Sequence, residues 1–139
     1  MKKKEIFLDH IEIPVFKQKI NLVFTKYGPL HAVKELDLLQ DYSNKFCNRN
    51  VDDAIKELEA SNAMVLKLNQ QICLLLPFDV TPGVMAHEIF HVVVMVLEHR
   101  GLTFVHESEE AYAHLIDWLT EEVYKYHKVM LKHTKTKQV

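Results

Sequence analysis

The sequence predicts an α+β fold, and three observations carry that expectation. β-branched and aromatic residues alternate with polar ones between Glu5 and Thr25, and two short apolar runs flank a polar turn between Ala63 and Leu76. After Thr81 come two long stretches with helical periodicity. The expected arrangement is a small sheet with helices on one face, the two long helices packed against it. At 139 residues the chain has the length of one domain with a buried core. Its expected parts are a sheet-forming half with short helices (1–77), a helical half (78–128) and a basic tail (129–139).

Ile11, Ile13 and Val15 share one parity, as do Ile20, Leu22 and Phe24, which is the pattern of half-buried strands. Pro14 lacks a ladder donor and marks an edge or a break. Gly28-Pro29 opens a helical stretch from Leu30 to Leu39. Residues Asp41 to Asn50 are polar, with Tyr42 and Phe46 as the large anchors. A short helix follows over Asp53 to Ala60, its early acids suited to the positive end of the helix dipole. Ala63–Leu68 and Ile72–Leu76, joined through Asn69-Gln70-Gln71, read as a hairpin closed by Pro77. Thr81 as N-cap and Pro82 at the first helical position start a helix of about Gly83 to Arg100, which Gly101 stops. Ser108 is placed to cap the last helix, Glu109 to Lys128.

Composition narrows the function. A formal net charge of −2 offers no overall basic field for nucleic acid, and the Lys-rich end from Lys125 reads as a solvated helix end and tail. The apolar run before Asp9 is only Ile6–Leu8, too short for a signal peptide, and the apolar run Val92–Leu97 is far short of the roughly 20 residues that span a bilayer. Two cysteines, Cys47 and Cys73, make no disulfide framework, and a reduced, cytoplasmic setting suits them. The expected partners therefore include neither nucleic acid nor membrane. The unusual count is nine histidines.

His87-Glu88-Ile89-Phe90-His91 carries the chemistry. Histidines four apart lie one turn apart on one helical face and can meet at a single metal ion. Glu88 lies about 100° around the helix, placed to reach a water at the metal without ligating it. Zinc suits two imidazoles. A third ligand must come from elsewhere, because Glu98 and His99 sit about 10–12 Å further along the same axis. The metzincin spacing is excluded: Val94 and Leu97 stand where it requires Gly and His. The turn at Gly101 sends the next helix back, and Glu107, Glu109 and Glu110 stand near its start.

With Glu110-Ala111-Tyr112-Ala113-His114 following the His-Glu-x-x-His helix, the chain resembles the gluzincin type of zinc metallopeptidase. It looks most like the small zincin-like proteins of bacteriophages and prophages, over roughly Thr81 to Tyr124. The resemblance implies Zn2+ bound by His87, His91 and Glu110, with Glu88 as general base. It also implies Ala113 as a small residue between the helices; His114 departs from the family, standing where many gluzincins have an acid or a tyrosine, and is expected to orient a ligand or stabilise the oxyanion. Glu109 is the alternative third ligand; Glu110 is favoured because only it has Ala at the third following position.

The expected function is a zinc-dependent peptide-bond hydrolase acting on a peptide or protein, in the cytoplasm of a bacterial host or phage-encoded. An extended peptide would lie along an edge strand of the hairpin. The alternative is a catalytically silent zincin-like protein that binds metal and serves phage assembly or another protein partner, such as a regulatory one. His99 and His106 flank the loop after Gly101 and read as surface residues, His10, His31, His127 and His133 have no partner at metal spacing, and Trp118 and the late tyrosines read as packing.

Overall fold

Two β-hairpins placed side by side form the centre of the molecule, a computed structural model that describes residues 5–44, 50–68 and 71–136. Phe46, Cys47, Asn69 and Gln70 lie outside the described residues. Strands β1 (Ile6–Ile13) and β2 (Gln18–Thr25) pair antiparallel, as do β3 (Met64–Leu68) and β4 (Gln71–Pro77). β2 and β4 then pair in parallel, with Asn21 opposite Cys73, so the four-stranded order is β1-β2-β4-β3. β1 and β3 are the edges. The fold is α+β, as the sequence predicts.

Helices α1 (Pro29–Glu35), α2 (Leu39–Tyr42) and α3 (Val51–Glu59) lie between the hairpins in sequence; α4 (Pro82–His99) and α5 (Glu109–Thr136) follow them. The sheet is covered on both faces, not on one. Ile20, Leu22, Phe24, Ile72, Leu74 and Leu76 face α4 and α5. Val23, Leu66, Cys73 and Leu75 face the short helices through Ala32, Val33, Tyr42, Ala54 and Leu58. The cause lies chiefly in β4, where Ile72, Leu74 and Leu76 face one way and Cys73 and Leu75 the other, with Val23 of β2 beside them, and a strand apolar on both sides needs cover on both sides. Burial on the short-helix side pushes the Cys73 thiol above its ordinary pKa against the opposing contact from the Asn21 amide.

Three element boundaries differ from the sequence expectation. The stretch Leu30–Leu39 is broken into α1 and α2 at Asp37, whose φ of 57° is left-handed, a conformation that Asp tolerates better than most residues. The break still lets Leu36, Leu38 and Leu39 pack on the short-helix cluster. Ser108 spends its hydroxyl on the preceding short turn (His106–Ser108), accepting from the Val105 N–H at 3.1 Å and donating to the Thr103 carbonyl. Finally, α5 runs on to Thr136 instead of ending at Lys128. Met130 is fully buried and the His133 ring lies 6.0 Å from Phe7, so the basic end is laid over β1 as helix. No helix among the described residues is long and apolar enough to cross a membrane.

The start of α4 follows its sequence signals. Pro82 occupies the first turn, and the Thr81 hydroxyl accepts from the Val84 N–H at 3.3 Å. At its other end Gly101 takes a φ of 83°, and Arg100 reaches the Phe16 carbonyl in the β1–β2 turn. Thr81→Ala is expected to lower stability by about 1 kcal/mol, read as a fall in the urea midpoint at constant slope.

Candidate metal centre

The inward stripe of α4 comprises Met85, Glu88, Ile89, Val92, Val93, Val96 and Leu97, the spacing of a helix laid on a sheet. One member is a carboxylic acid. Glu88 is 8% exposed in a row that is otherwise apolar, and a charge in such a position costs stability unless something pairs with it. Its Oε2 lies 3.8 Å from Nε2 of His87.

His87 and His91 occupy the solvent side of the same turns. Their Nε2 atoms are 3.3 Å apart, with ring centroids at 4.9 Å and planes at 76°. Two nitrogens bound to one tetrahedral zinc ion, each about 2.0–2.1 Å from it, stand about 3.3–3.4 Å apart. The pair thus has the separation that a shared ion requires, and Glu88 adjoins it from the buried side. These three residues the structure brings together.

The residues expected from α5 are elsewhere. Glu110 pairs with His114, Oε2 to Nε2 at 3.4 Å, both side chains at least four-fifths exposed. Glu109 pairs with His106 at 3.7 Å. Ala113 is exposed and does not lie between the helices; α5 joins the core through Tyr112, Leu115, Leu119, Val123 and Met130 instead. Among the described residues no group of three or more His, Cys, Asp or Glu side chains is arranged to hold a metal ion.

What sequence reasoning missed is aromatic. The Phe90 ring lies 6.4 Å from His91 on one side and 6.4 Å from Phe104 on the other. Phe104 in turn lies 4.8 Å from Tyr112, whose hydroxyl donates to the Leu102 carbonyl at 2.7 Å. Burial, and then the Glu98 carboxylate, hold the Tyr112 phenol above its ordinary pKa, so it remains a donor. This run of rings ties the turns of α4 that carry His87 and His91 to the first turn of α5. A signal was present in the sequence: Phe90 sits inside the His-Glu-x-x-His interval, off the apolar stripe.

A concavity of about 340 Å³ lies on the short-helix face of the sheet, away from the histidine pair, lined by Asn21, Gln71, Cys73 and the leucines at 8, 36 and 38. It holds no histidine. Against known proteins, the chain matches no family model, no curated protein and no solved structure. The candidate centre therefore stands on its own residues and distances.

Proposed function

We propose that the chain is a zinc-dependent hydrolase of peptide bonds. The observation that supports this best is the 3.3 Å separation of the His87 and His91 nitrogens with a buried carboxylate, Glu88, beside them. His87 and His91 would hold the ion, and Glu110 is the proposed third ligand. Glu110 is in the first turn of α5, which packs along α4, and its ion pair with His114 is of the exposed i,i+4 kind, worth about 0.2–0.5 kcal/mol, so that pair is a weak competitor for the carboxylate.

Bound zinc supplies Lewis-acid polarisation of the scissile carbonyl and makes water a nucleophile at neutral pH. Glu88 takes a proton from the attacking water as the C–O bond forms, then gives it to the amine as the C–N bond breaks. A carboxylate walled in by apolar side chains is well suited to this, because proton transfer does not compete with bulk water. His114, once Glu110 has turned, donates a hydrogen bond to the charge developing on the carbonyl oxygen. The peptide would lie along β3, which pairs only with β4 among the described residues and packs beside α4.

One observation favours the second reading, a metal-binding interaction protein that does not cleave: each candidate third ligand is engaged by a histidine of its own segment. Metal analysis and turnover separate the two. Protein purified without chelator is expected to carry about one equivalent of zinc and to gain about 2.7 kcal/mol of stability at a hundredfold excess of zinc over Kd. His87→Ala and His91→Ala are each expected to hold less than half an equivalent and to lose the zinc-dependent rise in Tm. Full zinc in both variants would remove the site. Zinc without turnover would leave the interaction protein.

A further inference from the structure

Beside the histidine pair lies a cluster of apolar side chains turned to solvent. Phe90 is 40% exposed, Phe104 56%, Val105 50% and Leu102 38%. Aromatic side chains this large are normally withdrawn from water, and a contiguous exposed group of them marks a binding surface. The edge-on packing of Phe90 on Phe104, with planes at 85°, and the bond from Tyr112 to Leu102 hold the cluster in place. Phe90 touches His91, so the apolar surface begins where the proposed metal site ends.

The flank of this surface is acidic. Glu107 is exposed and Glu109 meets only His106, and neither is paired with lysine or arginine among the described residues. The nearest fixed cation in sequence, Arg100, is occupied by the Phe16 carbonyl and lies against the Phe16 ring at 5.8 Å.

Resting on the hydrolase reading, we propose that Phe90 and Phe104 form a specificity subsite that takes a large apolar side chain next to the scissile bond. Glu107 and Glu109 favour a lysine or arginine a few residues further along. The substrate class is thus an extended peptide carrying an aromatic or long aliphatic residue followed by a basic one. The apolar ring surface supplies most of the binding, and the exposed acids supply orientation and a salt-sensitive increment.

Binding to the uncleaving Glu88→Gln protein tests this without depending on turnover. Three short fluorescein-labelled peptides are compared by anisotropy, identical except for Phe-x-Lys, Ser-x-Lys or Phe-x-Glu at the centre. The Phe-x-Lys peptide is expected to bind about tenfold or more tightly than Ser-x-Lys, the gain from burying a phenyl ring. Phe104→Ser, added to Glu88→Gln, is expected to abolish that difference, and Phe90→Ser serves as the second variant should Phe104→Ser unfold. The Phe-x-Glu peptide is expected to bind more weakly at low salt and to lose that deficit in Glu107→Gln/Glu109→Gln. Equal affinity for the Phe and Ser peptides, or a difference that survives both phenylalanine variants, overturns the subsite. Phe-x-Glu binding as well as Phe-x-Lys overturns the basic preference. A wild-type dimer that Phe104→Ser turns into a monomer assigns the surface to a second copy and also overturns the proposal. Selective binding without turnover by the wild type keeps the subsite and removes the hydrolase reading, whereas turnover indifferent to Phe or Ser does the reverse.

Discussion

Glu88→Gln is expected to lower peptide hydrolysis by about 10²–10⁴-fold while leaving zinc content unchanged. Glutamine fills the same volume in the inward stripe of α4, so Met85, Ile89 and Val92 keep their packing. It cannot accept a proton from water at neutral pH. Of the proposed zinc ligands, His87 and His91 lie on the solvent side of α4 and Glu110 on α5, so all three are untouched by the change. Stability is expected to hold or rise, because an ionised carboxylate leaves a position 8% exposed. Paired assays decide the matter, with elemental analysis for zinc and turnover of a zinc-loaded sample. Turnover equal to wild type would remove Glu88 as the base, whatever its burial.

The largest effect on the fold is expected at Phe24. Its side chain is fully buried on the α5 side of β2, with the Phe7 ring at 6.5 Å and the His127 imidazole at 5.4 Å. Phe24→Ala removes a ring where sheet and helix meet and is expected to cost about 3–5 kcal/mol. Against a total of about 5–15 kcal/mol for a domain, that is enough to leave a measurable unfolded fraction at 37 °C. His127 keeps its own anchor, the 2.8 Å contact of Nε2 with the Phe78 carbonyl, so α5 has no ready route to collapse into the space. Urea denaturation reads the change; a loss under about 1 kcal/mol would mean that α5 closes the gap.

Elements bounded by strong local chemistry were legible in the sequence. Thr81, Pro82 and Gly101 bracket α4 because a hydroxyl cap, a fixed φ and a left-handed glycine each act within one turn. The β3–β4 hairpin was legible because its apolar runs are short and adjacent. Cover on both faces of the sheet was harder to read: the unbroken apolar run of β4 calls for it, but on β2 only Val23 interrupts the polar second parity of Lys19, Asn21 and Thr25. The end of α5 was missed because lysines at 125, 128 and 132 hide the stripe Val123, Tyr126, Met130 that keeps the helix on the sheet. At the candidate centre, i,i+4 geometry fixes the histidine pair locally. Glu110 stands opposite the apolar stripe Tyr112, Leu115, Leu119 and Val123 on α5, so helical periodicity already turns it to solvent, where the structure leaves it.

The parallel seam between β2 and β4 has a kinetic consequence. Asn21 and Cys73, which face each other across it, are 52 residues apart in sequence, whereas each hairpin closes over a short turn. Chain closure over such a span is slow compared with hairpin formation, so the two hairpins are free to form early and the seam late. The seam continues into the helical layer, since α4 lies against β3 and β4 while α5 lies against β1 and β2. His87 and His91 thus belong to one half of the molecule and Glu110 to the other. On the proposed ligand set, an ion held by all three would rivet the halves together, and its arrival during refolding would time the last step of assembly.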